Sequence, residues 1–456
     1  MTAREDALPE SVAAGEFAHE DLDRARDHAA LDRARLRPGR LRALRVLWLI
    51  TGPGVLVFLG ENDAPSMISY AATGARYGVG FFLPFVLATF AVGFVVQEMA
   101  ARVGAASGRG HAELIFARFG AFWGWFAMAD LAVGNLLTLV TEFIGVRAGL
   151  GFFGVPPAVA VVGCVLVVAL TASTSRYRVW ERAALGLALL NAVFVPVALL
   201  AAPDWGAVGH AFLTWGPLRG GLTPDAVTLM VANIGATVTP WMLFFQQGAV
   251  VDKGLRPGDV GGARLDTLLG AVFAAVFGVA GIIATTPLFA HGISAGDFQG
   301  AQFAQALQPY VGRVGAGLFA LGIASAGLVA AVTISTSSAY AAGEVVRGGA
   351  HSLNAPLREG RLFYAVLLGS SALAGAAVLV PGVPLESVVI IVNVVATLAM
   401  PPALVFLLLL ANDAEVMGPH RNGGAWNVAG IGVTVLLVLT GLAYGVTVLF
   451  PALLGG

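Results

Sequence analysis

Lysine occurs once in this chain of 456 residues, at Lys253, and cysteine once, at Cys164. A single cysteine inside the apolar run 161–170 excludes a disulfide framework and a zinc-type cluster; it reads as a small, inert apolar residue. Charge of both signs is scarce. Only 12% of residues are charged, about half the share of an ordinary soluble domain. The net charge of −1 leaves no electrostatic footprint for a nucleic acid. No H-E-x-x-H or nucleophile motif is present, so an enzyme is not expected. What fills the chain instead is hydrophobic sequence, 57% of it, with a mean hydropathy of +0.82. That composition belongs in a lipid bilayer.

Residues 1–44 are charged and lack a sustained apolar face, with acids and arginines alternating over Glu20–Arg37. The stretch lacks the apolar core of a signal peptide and is expected to be a cytoplasmic tail. The remainder, 45–456, reads as one all-α integral membrane domain. Eleven spans are expected near 46–73, 79–103, 119–150, 156–173, 183–202, 226–249, 265–289, 311–342, 362–380, 386–411 and 426–451. An inside N-terminus puts every arginine and the lysine on the inner side except Arg76, Arg147, Arg219 and Arg313. That asymmetry predicts a multi-pass protein of the cytoplasmic (inner) membrane with its C-terminus outside.

Two spans are interrupted by polar residues and proline. The first carries Glu61, Asn62 and Asp63 and then Pro65; the second runs from Asn233 through Thr239-Pro240 to Gln246 and Gln247. A carboxylate within hydrocarbon costs roughly 2.5–3.5 kcal/mol even on insertion scales, so Asp63 is expected to face protein, water or an ion. Proline breaks the helix ladder and frees carbonyls that can ligate a cation. The breaks fall at matching places, which predicts two five-helix repeats of opposite topology, about 46–202 and about 226–411, with 426–451 as an extra helix. Paired interruptions of this kind mark the central site of a transporter.

In order along the chain, several segments resemble the NRAMP family of divalent-metal transporters. They are Gly52-Pro-Gly-x-Leu-Val followed by Asp63, Thr141-Glu142-Phe-Ile-Gly145, Tyr177-Arg178-x-x-Glu181-Arg182, Gly235-Ala-Thr-Val-Thr-Pro240, and Asn393-Val-Val before Pro401 and Asn412–Gly418. The resemblance covers about 50–420 and implies the LeuT-type inverted-repeat fold (5+5) with broken helices 1 and 6. Departures stand at the motifs themselves. The family's Asp-Pro-Gly-Asn reads Asp63-Ala-Pro-Ser66, its Met-Pro-His reads Thr239-Pro240-Trp241, and a second family histidine falls at Gln246. Such sequences are similar to a divergent, NRAMP-related branch that includes magnesium transporters.

The resemblance implies a metal site at Asp63 with carbonyls of Gly60 and Ala236 and hydroxyls of Ser66 and Thr239, although both hydroxyls also suit helix packing. All of these ligands are oxygen, and hard oxygen donors suit Mg²⁺ or Mn²⁺ where a thioether favours softer ions. Glu61, Asn62, Glu142, Asn233, Trp241, Gln246 and Asn393 are candidates for the permeation path or for coupling. Glu61 and Glu142 are equally open to structural pairing, Glu142 with Arg147 five residues on. Trp241 and Gln246 stand where the family has imidazoles, and the seven histidines read as tail or loop residues, so proton coupling is doubtful. The expectation is an alternating-access carrier of divalent cations, with the cation as substrate, no cofactor, the bilayer as surroundings, and a monomer sufficient. The alternative is a carrier of a small organic solute, such as an amino acid or organic cation, on the same fold.

Overall fold

The computed structural model describes residues 48–293, 295, 298, 300–345, 352–381 and 385–449, together with 29, 32, 33, 35 and 46. The tail at 1–44 therefore lies outside the described residues apart from those isolated positions. The first apolar segment is two helices, α1 (Pro53–Glu61) and α2 (Ala64–Tyr77). There follow α3 (Phe82–Ser107), α4 (His111–Phe119), α5 (Ala121–Gly151), α6 (Pro157–Ala172), α7 (Tyr177–Ala188), α8 (Phe194–Leu200) and α9 (Trp205–Thr214). The second interrupted segment is α10 (Pro224–Gly235) and α11 (Pro240–Asp252). The chain continues through α12 (Val260–Ala284), α13 (Thr286–Ala290), α14 (Gly300–Val345), α15 (Arg361–Leu379), α16 (Leu385–Asn412), α17 (Ala414–Met417) and α18 (Gly424–Leu449).

Among the described residues, nine helical segments are long and apolar enough to cross a membrane, and α6 is a shorter apolar helix. The halves α1 and α2 are too short to qualify singly. Their burial sorts the segments into centre and rim. Of the apolar window in 224–252, 83% is buried; in Gly424–Val446 only 17% is. The second broken segment is thus central and the last helix peripheral. Large apolar side chains exposed on the outer helices, among them Trp125, Val162, Leu170, Val276, Leu373 and Val435, form the surface that lipid would cover. The long helix α14 packs along α5 at the centre.

Both interruptions are built by the residues that announced them. Asp63 is extended (φ −76°, ψ 176°) and caps α2, its Oδ1 accepting from the Ser66 backbone N–H at 2.8 Å, with Pro65 in the first turn. Proline fits there because its missing N–H would have had no intrahelical partner. Pro240 opens α11 in the same way behind an extended Thr239. Helix ends elsewhere differ from the hydropathy reading. Span five begins at Tyr177 rather than near 183 and carries a 3₁₀ turn at Leu189–Val193; span eight runs over 300–345 with a kink at Gly312 (φ 71°). Helices α4 and α9 were expected as loops. Hydropathy registers only the hydrocarbon-crossing part of a helix, and these short or polar pieces fall beneath it.

Two histidines expected in loops thereby sit in helices, His111 at the start of α4 and His210 in α9. His111 is fully buried. Its Nδ1 lies 2.9 Å from Gln247 Oε1, its ring meets Phe244 edge-on, and its Nε2 has no hydrogen-bond partner. Because the amide oxygen only accepts, Nδ1 carries the proton. Burial pushes the imidazole down to about 4, with the Gln247 bond opposing. The folded protein therefore binds fewer protons than the unfolded chain once the pH drops below about 6.5, so the stability owed to this group is lost as pH falls from there toward 4. The expected outcome is a wild-type unfolding free energy that falls more steeply than that of His111→Gln across this window, by up to ~1.4 kcal/mol per pH unit, with the melting temperature following it. Parallel melting curves for the two proteins would show that His111 does not titrate on unfolding.

Candidate cation site

The two breaks meet. Thr239, the last residue before α11, donates its hydroxyl to Glu61 Oε2 at 2.8 Å, and Glu61 is the last residue of α1. Gly60 lies so close that a Cβ there would stand 2.7 Å from Thr333 Oγ1 and 3.2 Å from the Trp241 ring. Helix α5 closes a third side. Glu142 Oε2 accepts from the Ala64 N–H at 3.1 Å, so the N-terminus of α2 is met by two carboxylates, Asp63 and Glu142. This end of a helix carries partial positive charge, which favours that arrangement. Gly145 and Gly327 allow it, since a Cβ on either would run into Ala64 or the Glu142 carbonyl.

The resulting cluster is acidic and buried, with no basic side chain paired to it among the described residues. Glu61, Asp63, Ser66, Glu142 and Thr239 are at most 2% exposed. Glu61 and Glu142 both feel the charge of Asp63. Among the described residues no ion pair reaches any of the three carboxylates. Arg147, expected as a partner of Glu142, donates instead to the Val378 carbonyl at 3.1 Å. Its side chain leaves α5 one turn beyond Glu142 and toward α15, because i and i+5 do not share a helix face. Glu61 Oε1, Glu142 Oε1, Ser66 Oγ and Trp241 Nε1 are buried without a hydrogen-bond partner. Buried polar atoms are nearly always paired, so four orphans around one point are informative. Among the described residues no three His, Cys, Asp or Glu side chains form a ready metal cage. An ion here would meet carboxylates mixed with neutral oxygens.

The other sequence candidates hold the breaks in place. Asn62 turns its amide to the Ala274 carbonyl on α12 at 2.8 Å. Asn233 donates to Thr73, and Asn393 on α16 to Ser69, tying α2 to α10 and α16. Gln246 points to Thr267 at 3.3 Å, away from the cluster. The Ala236 carbonyl accepts from the Tyr70 hydroxyl at 3.0 Å, leaving one lone pair for another donor or ion.

Several positioning residues escaped the sequence reading. Asn191, in the 3₁₀ turn between α7 and α8, donates one amide N–H to each of the Leu59 and Asn62 carbonyls, at 3.3 and 3.2 Å, and accepts from Ser325 on α14. It satisfies carbonyls that the first break sets free. An amide inside the apolar run 183–202 was the available signal. At the far end of α1, Asp266 accepts from the Gly52, Gly54 and Val55 N–H groups, at 2.9, 2.7 and 3.4 Å. Lys253 there bonds Glu181 at 2.7 Å and the Thr51 carbonyl at 2.9 Å, with Lys253 and Glu181 both buried. The opposite end of α2 is held by Asp225, which pairs with Arg76 and accepts from Tyr77 at 2.9 Å. Asp266 was an acid at the edge of an expected span, which is itself a warning of function.

Residues 54–447 match the Nramp family, described as natural resistance-associated macrophage protein-like. The chain is 28% identical over 409 residues to the divalent metal cation transporter MntH of Deinococcus radiodurans, covering 87% of this chain and 89% of that one. The fold is similar to that of an Eremococcus coleocola manganese transporter, with a TM-score of 0.71 at 20% identity over 89% and 88% of the two chains. It is also similar, more distantly, to MhsT in complex with L-phenylalanine, with a TM-score of 0.54 at 15% identity over 90% and 98%.

Asn191→Leu is expected to orphan two buried carbonyls and to destabilise the protein by ~1–3 kcal/mol. Asn191→Asp, which cannot donate, is expected to be at least as damaging although it is nearly isosteric. Thermal unfolding in detergent measures both; a wild-type melting temperature for either would mean that the amide does not secure the break.

Proposed function

The chain belongs to the Nramp family, and from that premise we propose that it is a secondary transporter of divalent metal cations working by alternating access around Asp63. The observation that carries this reading is a carboxylate sealed between two broken helices with no cationic side chain paired to it among the described residues. Burying such a charge is costly unless something positive neutralises it. A cation entering between the breaks does so, and it does so only while bound, which is the property a carrier needs.

In this reading the ligands are Asp63, the carbonyls of Gly60 and Ala236, and the hydroxyls of Ser66 and Thr239. Thr239 replaces a sulfur donor by oxygen, so the preference is for hard ions such as Mg²⁺ or Mn²⁺. Eleven spans, with α1–α8 and α10–α16 as inverted five-helix repeats and α18 added, place the N-terminus and Lys253 on the cytoplasmic side of the inner membrane and the C-terminus outside. The Lys253–Glu181 end is then the inner closure and the Arg76–Asp225 end the outer one. Both broken helices come from one chain, so a monomer suffices.

Asp63→Asn is expected to weaken Mn²⁺ binding by at least ~30-fold, corresponding to the ~2 kcal/mol lower limit for removing one charge of a buried pair. Ser66→Ala is expected to be milder, because water replaces one neutral oxygen. Calorimetry on purified protein, with Mg²⁺, Mn²⁺, Cd²⁺ and amino acids as competitors, decides between cation and organic solute. Wild-type affinity in Asp63→Asn would remove the site from Asp63.

Transport is further expected to be uncoupled from protons, since Trp241 and Gln246 cannot titrate near neutral pH and His111 bonds Gln247 on the far side of α11. Proteoliposomes holding a pH dye, with the voltage clamped by potassium and valinomycin, test this. Metal-dependent acidification of the lumen that disappears in Glu142→Gln would make Glu142 a proton carrier instead.

A further inference from the structure

One side-chain hydrogen bond joins the two breaks directly, and it uses only half of a buried carboxylate. Glu61 accepts from Thr239 through Oε2, whereas Oε1 has no partner, and the residue is wholly shielded from solvent. We propose that Glu61 is a second carboxylate ligand of the transported cation, binding through Oε1, while Oε2 orients the Thr239 hydroxyl toward the same ion. This assignment rests on the cation site proposed above and specifies its charge.

Three independent features support it. Glu61 is the last residue of α1. The C-terminal end of a helix carries partial negative charge and disfavours an anion there while favouring a cation. An acid in that place, buried and without a basic neighbour bonded to it, keeps its charge only with a positive charge beside it. Asp63, two residues on, has the opposite setting at the N-terminus of α2, which offsets part of the cost of burying it. The pair therefore brackets the break with one acid that a helix N-terminus partly supports and one that a helix C-terminus opposes.

Thr239 supplies the second feature. It stands immediately before α11 with extended φ and ψ of −126° and 154°, the geometry of a helix cap, yet its side chain makes no capping bond. Threonine in that position ordinarily accepts from an N–H of the first turn. Here its proton goes to Glu61, so both oxygen lone pairs stay free for another partner. Such a hydroxyl is pre-oriented as a ligand.

The third feature is proximity. The absence of a side chain at Gly60 lets the end of α1 lie against the Trp241 ring and Thr333, where a Cβ would crowd both. Trp241 Nε1, on the first turn of α11, faces the Glu61 carboxylate without closing a well-formed hydrogen bond. The end of α1 is thus pressed into the second break rather than into the bulk of the core. As the two ligand carboxylates, Asp63 and Glu61 match the charge of a divalent ion and overcompensate a monovalent one, while Glu142 bonds the Ala64 N–H. Glu61 would accordingly set the preference for charge, with Thr239 setting the preference for hardness.

The test uses full-length protein in detergent. Glu61→Gln keeps the shape and the acceptor for Thr239 but removes the charge; Mn²⁺ and Mg²⁺ affinity by calorimetry should fall by ~10–100-fold. Pulsed electron–nuclear double resonance on Mn²⁺-loaded protein carrying ¹³C-carboxyl glutamate gives a readout that a structural role would not produce. A ¹³C coupling of a directly bound carboxylate should appear in wild-type protein, persist in Glu142→Gln and vanish in Glu61→Gln. The wild-type spectrum needs no variant to fold, and absence of any glutamate coupling there overturns the assignment. Unchanged affinity in Glu61→Gln, with Asp63→Asn still losing binding, overturns this inference alone. Absence of Mn²⁺ binding by the wild type, or its survival in Asp63→Asn, removes the cation site and this inference with it.

Discussion

Everything near the centre of this molecule is arranged around the cost of holding Asp63 in a dry place. A carboxylate there requires donors, and the break between α1 and α2 provides them by exposing the N–H groups of a new helix turn to it. The break in turn liberates carbonyls on the α1 side, and these require donors of their own, which Asn191 brings from the 3₁₀ turn after α7. That turn is held by Ser325 on α14, and α14 packs along α5, which delivers Glu142 back to the start of α2. The local need of one charge thus propagates through four segments before it closes on itself.

The small residues follow from the same geometry. Gly54 and Gly270 let α1 and α12 touch backbone to backbone, and Gly145 and Gly327 do the same for α5, α2 and α14. In a bilayer, helices do not associate by expelling water, so close backbone approach and interhelical hydrogen bonds carry much of the packing. The polar ties from Asn62, Asn233, Asn393 and Thr397 to neighbouring helices are what such a core is expected to use.

How much of this could be read from the sequence depended on whether the signal was chemical or geometric. The breaks were legible because an acid or a proline in an apolar run is costly anywhere, so Asp63, Pro65, Thr239 and Pro240 declared themselves. The all-helical membrane character followed from hydropathy, but α4, α9 and the ends of α14 did not, since helix continues past the hydrocarbon without an apolar mark. Which asparagine faces what is not legible: Asn62 and Asn233 suit either the path or an interhelical tie, and their amide nitrogens make the tie, whereas Asn191 carries no mark beyond being an amide in an apolar run. The proposed pairing of Arg147 with Glu142 failed on spacing alone, five residues being the wrong interval for one helix face. Thr239 was singled out for its oxygen, but its bond to Glu61 needed the two halves of the chain to be brought together.

The buried Lys253 has a consequence for how the molecule presents itself to chemistry. It is the chain's sole lysine, and it is packed between Glu181 and the Thr51 carbonyl at the foot of α1. While that contact is made, the lysine amine is closed to an acylating reagent. A change of state that swings the foot of α1 away from Lys253 and Glu181 would uncover it. The protein therefore carries, without any engineering, a single-site covalent reporter of whether that end is shut, and its acylation would leave the contact unable to re-form.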